Sequence, residues 1–233
     1  MADVIVQIYG IRTVEDARMV IEMGGHHIGV SYGKIKRTPG QLTCEQAKEI
    51  FDGVQPEAVK IGLTVSEDIE EITENLNEVL PEVLHLSGDI EGITPQQIKV
   101  LKERFPGLKI MQAIPVLADV PLKEQKVMEY IREYEPVSDF FLIDTKASSA
   151  CDIGATGLTH DREIDKQIIE STKVPCIIAG GLDADNVAEA IHITHPYGVD
   201  SFSLTNYDDE RADTLHCKDP AKVKAFIEAS KNA

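Results

Sequence analysis

The chain has 233 residues, a length that fits one α/β barrel of the usual ~250 residues better than two ordinary domains. Its formal charge of −17 repels polyphosphate and excludes nucleic-acid binding through a basic surface. No apolar run approaches the ~18 residues of a membrane span, and the opening Met1–Gly10 lacks a basic leader and a small-residue cleavage site, so the expected setting is cytoplasmic.

In chain order, the first apolar, β-branched run is Val4–Tyr9. A helix follows with Val14, Ala17, Val20 and Ile21 on one face, opened by Thr13 with Asp16. The second run, His27–Ser31, precedes a helix with Ala47, Ile50 and Phe51, opened by Thr43 with Gln46. The third, Val59–Thr64, leads to Ile69, Ile72 and Leu76, with Ser66 as the expected cap. Glu82–Leu86 comes next, then a helix opened by Thr94 with Gln97, then the strands Lys109–Val116 and Asp139–Asp144. Cys176–Ala179 is followed by a helix starting near Asp183. Val199–Ser203 is followed by a polar stretch, Tyr207–Lys218, and a helix from about Pro220.

These are eight strand–helix units of about 29 residues each if evenly divided, which predicts parallel strands joined by crossover helices. No linker divides them and no switch point is evident. The expected fold is a (β/α)8 TIM barrel forming a single domain over residues 1–233. The cysteines Cys44, Cys151, Cys176 and Cys217 are far apart, with no C-x-x-C pair, and are expected as isolated reduced thiols.

In such a barrel the chemistry lies at the C-terminal strand ends, where the βα loops converge. Two glycine clusters fall there: Gly154 and Gly157 after strand six, and Gly180-Gly181 after strand seven. Glycine turns expose peptide N–H groups, and a following helix N-terminus adds partial positive charge, so the two clusters predict a phosphate site. Thr205 and Asn206, ending strand eight, are expected to add side-chain donors. The predicted ligand is therefore a phosphorylated small molecule, bound by a monomer or homodimer.

Asp144 ends strand six, where desolvation raises a carboxyl pKa and suits a general acid. Tyr9 ends strand one, with acid, assisted base or space-filling plug as its open roles. His26, His27 and His85 lie on or beside strands. Adjacent histidines point to opposite faces of a strand, so only one of His26 and His27 can face the barrel. Neither a metal site nor a cofactor is expected.

The motifs resemble those of the phosphoribosylanthranilate isomerase family of tryptophan biosynthesis. Its opening K-I-C-G-I/L-T/R and T-x-E-D-A look like Gln7-Ile8-Tyr9-Gly10-Ile11-Arg12 and Thr13-Val14-Glu15-Asp16-Ala17. Its L-L-D resembles Leu142-Ile143-Asp144, and its G-G-T-G resembles Gly154-Ala155-Thr156-Gly157. Its L-A-G-G-L…N-V…A-I resembles Ile178-Ala179-Gly180-Gly181-Leu182 with Asn186-Val187 and Ala190-Ile191, and its G-V-D resembles Gly198-Val199-Asp200. The likeness is specific in roughly the first 60 residues and over 139–205.

The resemblance implies an Amadori rearrangement. An acid protonates the ribose ring oxygen, and a base then removes the C2 proton of the iminium. Asp144 matches the acid, Arg37 the arginine that meets the anthranilate carboxylate, and Asp200 a contact to a ribose hydroxyl. The family's base is the cysteine of K-I-C-G, a position held here by Tyr9. A phenol near pKa 10 yields far less conjugate base at neutral pH than a thiol near about 8.5. Further departures are Gln7 for the lysine of K-I-C-G, His85-Leu86-Ser87-Gly88 for Q-L-H-G, and Phe202-Ser203-Leu204-Thr205-Asn206 for S-S-G-V-E. His85 is accordingly expected at the substrate. Two alternatives stay open: a paralogue acting on another sugar phosphate as aldolase, epimerase or isomerase, and a non-catalytic phospho-ligand sensor.

Overall fold

The structure is a computed structural model that describes residues 4–54, 56–118, 120–146, 160–208 and 217–233. Eight parallel strands close into a barrel in sequence order. They are β1 (Ile5–Ile8), β2 (His27–Ser31), β3 (Val59–Thr64), β4 (Val83–Leu86), β5 (Lys109–Leu117), β6 (Phe140–Lys146), β7 (Cys176–Ile178) and β8 (Gly198–Ser201). The helices outside them are α1 (Val14–Glu22), α2 (Cys44–Gly53), α3 (Ile69–Glu78), α4 (Pro95–Arg104), α5 (Val127–Tyr134), α6 (Arg162–Ser171), α7 (Val187–Thr194) and α8 (Pro220–Lys231). Closure is made by β1 on β8, with Gln7 opposite Asp200 and Ile8 opposite Ser201.

The alternation of each strand sorts its residues between two cores. Outward-facing Val6, Ile8, Ile28, Val30, Ile110 and Ile143 pack under the helices against Ala17, Val20, Ile98 and Phe226. Inward-facing Ile61, Val83, Met111, Phe140, Leu142 and Ile177 fill the barrel itself. Each such side chain stabilises the fold by about 1.5–3 kcal/mol when fully buried. Polar groups interrupt the inner layer at Gln7, His27, His85 and Asp200, all buried.

The capping chemistry is local, and most of it follows the sequence. Thr13 accepts from the Asp16 amide, and Thr43 with Gln46 and Thr94 with Gln97 form full capping boxes. Asp219 caps α8 before Pro220. Two expected starts move. The cap of α3 is Asp68, while Ser66 accepts from the Asp68 amide and donates to Glu71, so it braces the loop instead. The Asp183 side chain accepts from the amides of Asp185 and Asn186 and forms a turn, so α7 begins only at Val187.

Candidate functional site

Two adjoining cavities open at the C-terminal strand ends. The smaller, about 40 Å³, lies between the turn after β7 and the turn after β8 and is lined by Gly180, Gly181, Leu182, Ser203 and Leu204. The larger, about 290 Å³, extends over β1 to β4 and is lined by Tyr9, Arg12, Thr38, His85 and Ser87 among others. Asp144 and Asp200 line both.

The smaller cavity has the build of an anion cradle. Gly180 and Gly181 take φ of 78° and 64°, the left-handed region that favours glycine. A Cβ on Gly180 would also lie 2.1 Å from Thr145 Oγ1, so no other residue fits there without displacing β6. Three carbonyls of the turn are held by side chains that do not line the cavity. Arg162 donates to Ala179 O at 3.0 Å and to Gly180 O at 2.6 Å, and Asn186 Nδ2 donates to Gly181 O at 2.8 Å. In a trans peptide the N–H points opposite its C=O, so the amides of Gly180, Gly181 and Leu182 face the other way. These residues line the cavity, as phosphate binding requires.

Arg162 is itself fixed by Asp165 at 3.0 Å. Asp165 also meets His160 Nε2 at 2.5 Å, and His160 Nδ1 lies 2.7 Å from Thr145 Oγ1. This buried chain joins the end of β6, beside Asp144, to the glycine turn.

Across the cradle, Ser203–Thr205 forms one 3-10 turn. Thr205 differs from its expected role as a ligand donor. It is buried, and its Oγ1 donates to Phe202 O at 3.0 Å and accepts from Lys218 Nζ at 3.1 Å. Lys218 Nζ also reaches Phe202 O at 2.8 Å and Asn206 Oδ1 at 2.6 Å, so one buried lysine shapes the whole turn. Burial lowers its pKa from 10.5 to about 7. The other two expected phosphate residues, Gly154 and Gly157, lie outside the described residues, as does Cys151.

In the larger cavity Tyr9 lies against the backbone of Gly29, where any Cβ would meet its ring at 2.0 Å. Its hydroxyl is 2.6 Å from His85 Nδ1, and both side chains are buried. Burial, then the charges of Asp200 and Asp144, hold the phenol well above its ordinary pKa. Burial pushes His85 down to about 3. Tyr9 is therefore a protonated wall of the site at neutral pH and not a base.

His26 and His27 divide as strand geometry requires. His26 Nδ1 accepts from the Val6 amide, and His27 Nδ1 meets Gln7 Oε1 at 3.1 Å inside the barrel. Among the described residues no group of three or more His, Cys, Asp or Glu is placed to hold a metal ion.

Asp144 opens onto both cavities. Burial raises its pKa from 3.8 to about 6, opposed by a 2.7 Å hydrogen bond from the Thr145 amide and by His160 and Arg162. Asp200 is buried and accepts from Gln7 Nε2 at 3.1 Å. Arg37 is not brought to the cavity. Its Nε donates to both oxygens of Glu71 at 3.0 and 3.1 Å, and Glu71, with a side chain only 8% exposed, also accepts from Ser66. The arginine that lines the cavity is Arg12. Sequence reasoning missed Arg162, Lys218 and Arg12. Only Arg12 carried a signal, its place in the strand-one motif.

A closed eight-stranded barrel with a glycine-turn anion cradle beside a carboxylate-bearing cavity defines the class of phosphosugar-binding barrel enzymes. Residues 6–229 match the family model described as N-(5'phosphoribosyl)anthranilate (PRA) isomerase, and the chain belongs to that family. It is 31% identical to "N-(5'-phosphoribosyl)anthranilate isomerase 2" of Methanosarcina mazei, over 97% of this chain and 94% of that one. It is 32% identical to the isomerase of Listeria welshimeri, over 97% and 98%. The isomerase structure from Pyrococcus furiosus superposes with a TM-score of 0.77 at 23% identity, over 99% of this chain and 100% of that one. That from Thermotoga maritima gives 0.76 at 25%, with the same coverage.

Proposed function

We propose that this protein isomerises an N-substituted 5-phosphoribosylamine, with N-(5'-phosphoribosyl)anthranilate as the first substrate to test. The reading rests on family membership and, above all, on the pairing of the Gly180-Gly181 cradle with a cavity that shares Asp144 and Asp200. The cradle holds the 5-phosphate through peptide amides, and the ribosyl ring then lies over the two carboxylates. Anchoring the remote phosphate fixes the sugar for chemistry at C1 and C2. Asp144 is a proton-transfer group of this site, with a pKa near the working pH as general acid–base catalysis favours.

The N-substituent occupies the larger, mainly apolar cavity, with Arg12 on its wall and Arg37 one residue before the lining Thr38. The working form is proposed as a cytoplasmic monomer or homodimer. No described helix is long and apolar enough to cross a membrane, and sedimentation decides the oligomeric state.

Steady-state assay of the purified protein on phosphoribosylanthranilate tests the reading, with calorimetric titration of ribose 5-phosphate beside it. Turnover upholds it. Binding without turnover moves the protein to the second reading, a paralogue acting on another sugar phosphate. The observation behind that second reading is the protonated Tyr9 in the thiol's place. Turnover gained only in Tyr9→Cys would establish it.

A further inference from the structure

The rearrangement needs two proton-transfer groups; Tyr9 supplies no base, and its hydroxyl is already taken up by His85 Nδ1 at 2.6 Å. Their mutual hydrogen bond is buried, the phenol keeps its proton and the imidazole stays neutral. Strand β8 offers the missing group. Asp200 is the register partner of Gln7 across the seam that closes the barrel, and it shares both cavities with Asp144. Gln7 bridges Asp200 and His27 and gives the carboxyl a neutral donor. Lys218, whose charge also reaches Asp200, is held by three oxygens of the Phe202–Asn206 turn.

We propose that Asp200 is the second catalytic residue, forming with Asp144 a carboxylate pair that carries one proton between them and performs both proton transfers. The proposal rests on the isomerase reading above. Two carboxylates facing one desolvated cavity do not both ionise readily, and their environments decide which keeps the proton. Burial raises Asp200 well above the usual carboxylate range, with the charge of Asp144 adding to it and the Gln7 hydrogen bond opposing. Asp144, eased by the Thr145 amide, His160 and Arg162, is the one that ionises. Asp144 accepts a 2.7 Å hydrogen bond from the Thr145 amide and Asp200 a longer one, 3.1 Å, from Gln7 Nε2, and on that difference we start the proton on Asp200.

The steps close. Asp200 gives its proton to the ring oxygen as the C1–O bond breaks. That bond's electron pair leaves with the oxygen, which becomes the C4 hydroxyl, and the nitrogen lone pair forms C1=N. The Asp144 carboxylate takes the C2 proton. The C–H pair forms C1=C2, and the C=N pair returns to nitrogen. Asp144 then returns the proton to C1 while Asp200 takes the C2 hydroxyl proton, leaving the ketone. Both residues end as they began.

Two measurements on the full chain test the pair. Infrared difference spectroscopy of the free protein at pH 7 is expected to show a protonated carboxyl band that vanishes in Asp200→Asn and persists in Asp144→Asn. Absence of the band in native protein, or its survival in Asp200→Asn, overturns the proposal even if no substrate is turned over. With phosphoribosylanthranilate, Asp200→Asn is expected to lower kcat at least ~100-fold with ribose 5-phosphate affinity retained, against a loss under about tenfold in Tyr9→Phe. The reverse order of losses overturns it too. Failure of native turnover instead sinks the isomerase reading and leaves the infrared result to decide the pair.

Discussion

The two sides of the barrel mouth differ in how closely they keep the family's pattern. The β7–β8 side keeps the I-A-G-G-L run and the G-V-D triplet, departs only after β8, where Phe202–Asn206 stands for S-S-G-V-E, and lines its cavity with the glycine turn. The β1–β4 side replaces a lysine by Gln7, a cysteine by Tyr9 and a glutamine by His85; Tyr9 and His85 touch one another, and Gln7 meets Asp200 and His27. A backbone cradle constrains sequence through glycine conformation and carbonyl fastening, so it tolerates little change. A side-chain site can be rebuilt if its members change together. The glycine turn and the two carboxylates thus lie on the side that keeps its motifs, and the β1–β4 wall of the larger cavity is where this chain departs from them.

The sharpest way to break this division is Asp144→Asn, which removes chemistry and leaves the anchor. Turnover is expected to fall by about 10²–10⁴-fold, with ribose 5-phosphate affinity within about threefold of native by calorimetry. Unchanged turnover would remove Asp144 from the mechanism. Tyr9→Cys probes the rebuilt side directly. Losing a buried ring packed on Gly29 is expected to cost about 3 kcal/mol in denaturant unfolding, in the range of large-to-small core changes. A loss below about 1 kcal/mol would mean that the ring is not a structural wall.

On the anchor side, Gly180→Ala forces a Cβ against Thr145 Oγ1 at a φ of 78°. The expected cost is about 1–3 kcal/mol of stability, with phosphate affinity falling at least tenfold as the amides turn away. Full phosphate affinity in a folded Gly180→Ala protein would place the anion elsewhere.

How much of this was legible beforehand follows the same division. Strand and helix periods, the capping boxes at Thr43 and Thr94, and the Gly180-Gly181 turn are local patterns, readable from neighbouring residues. The contacts that decide the chemistry are not local. Gln7 meets Asp200 across 193 positions and Tyr9 meets His85 across 76, so each reads alone as an ordinary buried polar residue. Lys218 sits at the end of a polar stretch that reads as loop, yet it is buried and organises the β8 turn. Thr205 looked like a ligand donor because its hydroxyl falls at a strand end. The sequence carries no sign that Lys218 has already claimed it.

The raised carboxyl pKa also sets a dependence of stability on pH. Asp144 moves from 3.8 in the unfolded chain to about 6 in the folded one, so between these values the native state holds the extra proton. Its contribution is complete below 3.8 and is lost as pH climbs through 6, by roughly 2 kcal/mol for a side chain that is half-buried at the cavity wall. Asp200 acts in the same direction. Urea unfolding across this window should flatten in Asp144→Asn. An unaltered slope would place the Asp144 carboxyl in water.

The smallest expected effect on substrate binding concerns Arg37, on the β1–β4 side. If the Arg37–Glu71 pair is a brace between the β2 loop and α3, Arg37→Ala costs about 1–3 kcal/mol, because it leaves the Glu71 side chain, 8% exposed, without its charged partner. KM for phosphoribosylanthranilate then moves less than about threefold, whereas Arg12→Ala raises it at least tenfold through loss of a charge-assisted bond to the carboxylate. If binding instead draws Arg37 away from Glu71, Arg37→Ala raises KM as much as Arg12→Ala does. Glu71→Gln would then lower KM by freeing the guanidinium. The Glu71 side chain, nearly buried and also held by Ser66, favours the brace, because an unpaired buried carboxylate is costly to leave behind.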